Sequence, residues 1–363
     1  VNTESQFASA FALASDWRSA LEACLDRLVV PRGANLGFVY WADAFNREAE
    51  MLVQQLRKRT GVTHWVGGSA VGLLGREGAQ LDTPGVSLLV ARLPDDSFRV
   101  FSGREPLGRA RDFSPETAIV HADPDTPDMP ELVRDMAGKL PSAKLAGGLM
   151  GGRDSSVLFA DGSFSGGLCG VAFDAGLALT SDISQACRPI GPPREIGEAE
   201  DNLLGKLDGR PALAVYRDAI GPLLADNLRR AVHSVMVGLV SDEDPSRYIV
   251  RHVVGVDPAG GRIAINDTPT EGQELMFVRR DADTAAQDLE RMLERMRERC
   301  PHPRAALYIS CAGRGAQLFE RDDSEVEAIQ AVFGGIPLAG FFAGGEILGR
   351  ELYAYTGVLT LFP

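Results

Sequence analysis

LAGGLMGG, residues 145–152, is a run of small residues that ends in paired glycines. It follows a predicted helix and precedes a predicted hairpin. Two other stretches align with it, VGGSAVGLL at 66–74 and LAGFFAGGE at 338–346. Each has an apolar residue, a small residue and then Gly-x-x-x-Gly, which matches Gly68 and Gly72 with Gly147 and Gly151 and with Gly340 and Gly344. This spacing marks helix contacts in membranes, but no apolar helix of roughly 20 residues surrounds the copies. They therefore read as loops. Such loops are either strained turns packed in the core or bare backbone N–H nests for an anion or carboxylate.

What surrounds the glycines also recurs. Upstream of each copy lies a short apolar strand, LGFVYW at 36–41, AIVHA at 118–122 and ALYISC at 306–311. A predicted helix follows each strand, at 45–59 (with Met51, Leu52 and Leu56 as its apolar stripe), 129–140 and 324–333. Downstream, a strand opens on glycine at 85–93, 167–173 and 357–362. The unit reads strand, helix, strand, glycine loop, hairpin, and a recurring unit constrains the fold before any single motif does. The expected class is α/β (α+β), with mixed β-sheets flanked by helices in two domains built from such units. Superposed copies should place Gly68, Gly147 and Gly340 together, and Gly344 should need a positive φ.

The segment between the second and third copies differs. Residues 194–221 read as a hairpin strand, the turn Asp208-Gly209 and a helix opened by Pro211. Residues 223–240 read as helical, 248–265 as strand, turn and strand, 274–280 as a strand and 282–300 as a helix. A boundary near 210 gives an N-terminal helix within 1–30, one domain over 31–210 and a second over 211–363.

The chain has 363 residues, enough for two domains with buried cores. A net charge of −13 argues against nucleic acid as the main partner, because such proteins carry a basic face. Five scattered cysteines without a CxxC pair predict free thiols and no structural metal. No apolar run is long enough to span a bilayer. The start of the chain lacks the basic region of a signal peptide, so residues 5–29 read as an amphipathic helix and the protein as cytoplasmic. Walker, GxGxxG and G-x-S-x-G motifs are absent. His64, His121, His233, His252 and His302 are not at ligand spacing, and no catalytic or metal residue is assigned.

SCAGRGAQLFERDD at 310–323, with PLAGFFAGGEILGRELYAYTGVLTLF at 337–362, resembles the C-terminal half of the FIST family. The matching positions are Cys311, Gly313, Arg314 and Gly315, then Gly340, Phe341, Gly344 or Gly345, Glu346 and Ile347. Residues 208–221 and 271–281 also look like family segments, and the N-terminal half resembles the FIST N-terminal domain more loosely. The sequence departs from the family at Gly68, where a cysteine would precede the serine. The resemblance implies a sensory module that binds a small molecule, an amino acid or similar carboxylate metabolite, and signals through a separate partner protein. Neither nucleic acid nor a membrane is expected as a partner.

The expected ligand site is Cys311, Gly313, Arg314, Gly315, Phe342, Gly344, Gly345 and Glu346, lining one cavity. Arg314 would fork onto a carboxylate, glycine N–H groups would add donors and Glu346 would take an ammonium. The structural alternatives are an ion pair for Arg314, a solvated loop carboxylate for Glu346 and a small buried hydrophobe for Cys311. No cofactor is required by the pattern. Two other functions stay open: a haem-based gas sensor, with His121 and His252 as nominated ligands, and an enzyme with Cys311 as nucleophile and Arg314 lowering its pKa.

Overall fold

The structure, a computed structural model, describes residues 5–108, 113–142, 144–152, 155–177, 179–222, 227–242 and 244–363, with the backbone alone at Arg230. The chain forms two compact units, one of Val1–Gln185, Gln287–Leu352 and Thr356–Pro363, the other of Ala186–Ala286 and Tyr353–Tyr355. The fold is mixed α/β, as the sequence reading expects.

The first unit holds three six-stranded sheets of one topology. In each, two strands joined by a helix lie parallel: Leu36–Ala42 with His64–Ala70, Pro115–Ala122 with Lys144–Leu149, and Ala305–Cys311 with Leu338–Ala343. A later strand returns antiparallel beside the first of each pair: Gly85–Ala91, Leu168–Asp174 and Thr356–Phe362. An edge strand that precedes the pair in sequence pairs with that returning strand: Phe7–Leu13, Phe98–Phe101 and Thr180–Gln185. The free side of each sheet is covered by a strand from another. Gly72–Gly75 leaves the first sheet to pair with Leu338–Ala343, Glu346–Leu348 leaves the third to pair with Lys144–Leu149, and Leu158–Ala160 leaves the second to pair with His64–Ala70. The exchange is cyclic, and it closes edges that would otherwise be open.

The first glycine of each aligned stretch lies inside a strand, not in a loop, whereas Gly151 and Gly344 lie beyond the strand ends. Gly147 stands opposite Val120 and Gly340 opposite Tyr308. In the first sheet that place belongs to Gly67, opposite Val39, one residue before the Gly68 expected there. A Cβ on Gly67, Gly147 or Gly340 would stand 1.9, 2.0 or 1.8 Å from the carbonyl oxygen of its partner. These positions therefore serve close backbone approach and provide no anion nest. A Cβ at Gly68 would stand 2.4 Å from the Val157 carbonyl oxygen, which accounts for the missing cysteine.

Apolar side chains between the sheets form the core. Tyr40, His121 and Phe341, one from each sheet, meet with ring centroids 4.8–6.0 Å apart. The other faces are covered by helices, Ala49–Thr60 through Leu52, Val53 and Leu56, Met129–Ala137 through Val133 and Met136, and Ser324–Phe333 through Val326 and Ile329. Met51, expected in the first stripe, is 45% exposed.

Two helical expectations are corrected. Residues 5–29 are not one helix: Phe7–Leu13 is a strand, and the helix Trp17–Leu25 starts only at Asp16, whose carboxylate caps the N–H groups of Arg18 and Ser19. The alanines of FASAFAL bury one strand face and Phe7 and Phe11 the other, a period of two that an alanine-rich segment disguises. Within 223–240, residues 223–226 lie outside the described residues, Leu228–Ser234 is helical and Met236–Val240 is a strand beside Glu274–Arg280.

The second unit contains one nine-stranded sheet, with the helix Ala212–Ile220 closing its apolar core through Leu213 and Tyr216.

Gly340→Ala should lower stability by roughly 2–3 kcal/mol or more, the scale of overpacking against atoms that cannot yield. Gly344→Ala should be near neutral, because nothing lies within 4 Å of its Cβ position and its φ is not positive. Urea midpoints of the two variants test this, and equal midpoints would refute the close-approach reading.

Candidate functional site

The parallel strands Leu36–Ala42 and His64–Ala70 end at a cavity of about 670 Å³. Carboxyl ends of parallel strands are where open α/β sheets place ligands. The 3-10 turn Asp43–Glu48 forms one wall and Val71 with Asp82–Pro84 another. The first wall is fixed from behind: Trp41 Nε1 donates to Asn46 Oδ1 at 3.0 Å, and Asn46 Nδ2 donates to the Ser155 carbonyl at 3.0 Å. Gly152 lets Asp43 approach, since a Cβ there would stand 2.7 Å from that of Asp43. The Asp82 N–H holds the Val71 carbonyl at 2.8 Å. Among the described residues, three carboxylates (Asp43, Glu48 and Asp82) and one guanidinium, Arg47, line the space. This set offers acceptors for an ammonium and a fork for a carboxylate.

The residues named from the sequence lie at the matching ends of the third sheet. Cys311 ends its strand, 7% exposed, and Arg314 and Glu346 are fully buried. The Arg314 charge acts on both the Cys311 thiol and the Glu346 carboxyl. Gly313 is half-buried and Gly344 exposed beside them. Phe342 does not join the cluster but enters an apolar group with Leu74, Met296 and Leu361. Gly315 seats the Asp322 carboxylate, which would lie 2.6 Å from a Cβ and accepts the N–H groups of Ala316 and Leu81. Gly345 is buried, its carbonyl accepting from Leu149 N at 2.8 Å. Gly344 has no positive φ, which corrects that expectation.

The Arg314 fork is taken. Its Nε and Nη2 donate to Glu325 Oε1 at 2.8 and 2.6 Å, and Nη2 donates to Ser184 Oγ at 3.0 Å. Tyr308 and Ser310 hydroxyls complete the Glu325 carboxylate at 2.7 and 2.5 Å. The ion-pair alternative describes this guanidinium. Glu346 is not a solvated loop residue: it opens the strand Glu346–Leu348. Burial pushes its carboxyl up to about 8, against the hydrogen bonds from Thr356 and the Arg314 charge. A neutral acid is a poor ammonium acceptor. Glu325, Ser184 and Thr356 were missed in the sequence, as were the cavity residues. Glu325 alone had a signal, a carboxylate on the apolar face of the helix 324–333.

Both nominated histidines have Nε2 engaged by a tyrosine hydroxyl. Burial alone holds His121 neutral, down to about 3, and its Nε2 meets the Tyr40 hydroxyl at 3.0 Å inside the packed core. His252 Nε2 meets the Tyr355 hydroxyl at 3.1 Å. Among the described residues, no group of three or more His, Cys, Asp or Glu is placed to hold a metal, and no helix is long and apolar enough to cross a membrane.

Family models for the FIST N domain and the FIST C domain match residues 35–210 and 212–349. The chain belongs to the FIST family. An uncharacterized protein of Mycobacterium bovis is 36% identical over 237 residues, 61% of each chain. An uncharacterized protein of Mycobacterium tuberculosis is 34% identical over 245 residues, 64% of each chain. The chain thus covers less than two thirds of these relatives' length. FIST domains are associated with sensory signal transduction and ligand binding.

Two outcomes follow for the buried charges of this FIST protein. Arg314→Met should cost about 3–5 kcal/mol, the scale for leaving a buried carboxylate unpaired, and adding Glu325→Leu should recover much of it. A double variant no more stable than the single one would count against the pair. Glu346 is an acid whose folded pKa is raised, from 4.5 to about 8. The folded state holds a proton that the unfolded state has released, so its contribution is full below the lower value and declines as pH rises to the upper one. Urea unfolding across that window should show wild type losing stability relative to Glu346→Gln, and parallel pH curves would refute it.

Proposed function

We propose that this FIST protein is a cytoplasmic sensory module that binds an amino acid or similar carboxylate metabolite and signals through a separate partner protein. The observation that carries the reading is the cavity at the ends of the first parallel pair, with Arg47 set among Asp43, Glu48 and Asp82. A zwitterion places its carboxylate on the guanidinium and its ammonium on the acids. A cavity of about 670 Å³ is within the range that holds small molecules. The expected carboxylate clamp moves from Arg314 to Arg47, which is exposed.

Native mass spectrometry of the purified protein, followed by calorimetry with amino acids, tests this. Arg47→Ala should weaken binding by about 10- to 100-fold, the scale of a hydrogen bond to a charged group, with the urea midpoint unchanged. Binding that survives both Arg47→Ala and Asp43→Asn would place the ligand elsewhere.

A further inference from the structure

A second cavity lies at the opposite end of the first parallel pair. Its volume is about 300 Å³, enough for a small molecule. Asn35 precedes the strand Leu36–Ala42, His64 opens the strand His64–Ala70, and both line the space. The edge strand Phe98–Phe101 of the second sheet forms a wall through Phe98, Arg99 and Val100. Asp161 forms another, just after the exchanged strand Leu158–Ala160. All of these residues belong to the first unit.

His64 and Asp161 form a hydrogen-bonded pair, Nδ1 to Oδ2 at 2.7 Å. Two further donors fix the carboxylate through Oδ1, Arg57 Nη2 at 2.9 Å and the Trp65 N–H at 2.9 Å. A carboxylate only accepts, so Nδ1 is the ring nitrogen that carries the proton. In the neutral ring Nε2 is then a lone-pair acceptor. Phe98 steadies the imidazole edge-on, with centroids 5.7 Å apart and planes at 81°. The imidazole is 42% exposed, and among the described residues nothing bonds to Nε2. The exchanged strand is already tied to the first sheet without this ring, since Arg57 Nη2 also holds the Asp161 carbonyl at 3.1 Å and the Asp161 N–H holds the Trp65 carbonyl at 2.9 Å. What the imidazole adds is an oriented acceptor at the cavity.

Two exposed carboxylates, Asp95 and Glu105, share the space with it. Asp95 is linked to the pair through Asn35, whose Nδ2 donates to Asp95 Oδ1 at 2.8 Å and whose carbonyl accepts the His64 N–H at 3.1 Å. Arg99 is the cation of the wall. Its Nη1 is spent on the carbonyls of Asp95 and Phe98, and its guanidinium rests over the Phe113 ring. Arg57 stands behind Asp161 and balances it. Among the described residues, three carboxylates therefore face two guanidiniums. The cavity presents a lone pair and two carboxylates under an excess of negative charge, a field that draws cations and turns anions away.

We propose that this cavity is a second small-molecule site, and that its ligand is a small primary amine whose ammonium donates to His64 Nε2 and takes its counter-charge from Asp95 and Glu105. Asp161 is the positioning residue: by holding the proton on Nδ1 it makes Nε2 an acceptor. A quaternary ammonium of the same charge has no proton to give Nε2 and is discriminated against. The site lies at the other end of the strand pair from the Arg47 cavity and does not depend on a ligand there.

Ethanolamine is the probe, with choline as a counterpart of equal charge that has no N–H. Calorimetry on the full chain should show ethanolamine bound roughly tenfold or more tightly than choline, the scale of a hydrogen bond to a charged group. Long-range 1H–15N NMR spectra in mildly alkaline buffer, where imidazoles are neutral, locate the binding. The His64 Nε2 resonance, assigned by its loss in His64→Phe, should be that of an unprotonated nitrogen and should shift on adding ethanolamine. His64→Phe should weaken ethanolamine by about tenfold or more. Asp161→Asn tests the positioning role. Oδ1 still accepts from Arg57 and Trp65, so the amide nitrogen faces Nδ1 and donates to it, which moves the ring proton to Nε2. The Nε2 resonance should change to that of a protonated nitrogen before any ligand is added, and ethanolamine binding should fall. The choline comparison and the wild-type spectra need no variant. Equal affinity for ethanolamine and choline, no binding of ethanolamine, binding that leaves the His64 Nε2 resonance unmoved, or a wild-type Nε2 that carries the proton would each overturn the proposal.

Discussion

The approach of bare backbone to a neighbouring carbonyl is the contact on which the first unit depends. At Gly67, Gly147 and Gly340 the second strand of each parallel pair comes so close to the first that any Cβ would collide with the oxygen of Val39, Val120 or Tyr308. Each of these strands then hands the chain to another sheet, where the next strand covers an open side. Three sheets closed by cyclic exchange have no order in which one can be completed alone. The glycines are therefore constraints on the whole unit, and the aromatic contact of Tyr40, His121 and Phe341 forms only when all three sheets are in place.

Much of this order was legible in the sequence because it is local. Fully buried strands such as LGFVYW and ALYISC are continuous apolar runs, and amphipathic helices such as 324–333 show their spacing directly. What failed was also local, where composition competes with context. FASAFAL is rich in a helix-forming residue yet becomes a strand, because its two faces meet different cores. The Gly-x-x-x-Gly stretches looked like loops because glycine marks turns, but here it marks strands packed too closely for side chains. The exchange between sheets was invisible, since it joins segments 90 to 270 residues apart.

The site was legible in its parts and not in its pairings. The Arg314 charge does act on Cys311 and Glu346, as their places at neighbouring strand ends imply. The sequence did not show that Glu325 and Ser184 occupy the guanidinium, because Ser184 comes from a strand some 130 residues earlier. A buried arginine must be paired before it can do anything else. Once Glu325 has met that need, Arg314 has little left for a ligand, and Glu346 is left to keep its proton. The family motif thus specifies an internal charge balance, and the polar cavity lies on residues with no motif at all.

The three strand ends show how one topology carries different chemistry. Counting three residues on from Val39, Val120 and Tyr308 brings Ala42, Asp123 and Cys311 to the same place at the end of the first parallel strand. In the first sheet a small alanine leads into the acidic turn that walls the cavity. In the second, Asp123 turns back on its own surroundings, accepting the N–H groups of Gly166 at 2.7 Å and Asp125 at 3.0 Å, so that its carboxylate is satisfied within the fold. In the third, Cys311 ends the strand, and the next strand of the chain opens on Glu346, whose buried Oε1 has no hydrogen-bond partner among the described residues. A rigid scaffold tolerates this divergence because the strand ends bear no part of the backbone contact that closes the sheets. Function is then free to differ at each end, and the place to look for it first is the polar cavity at the end of the first parallel pair.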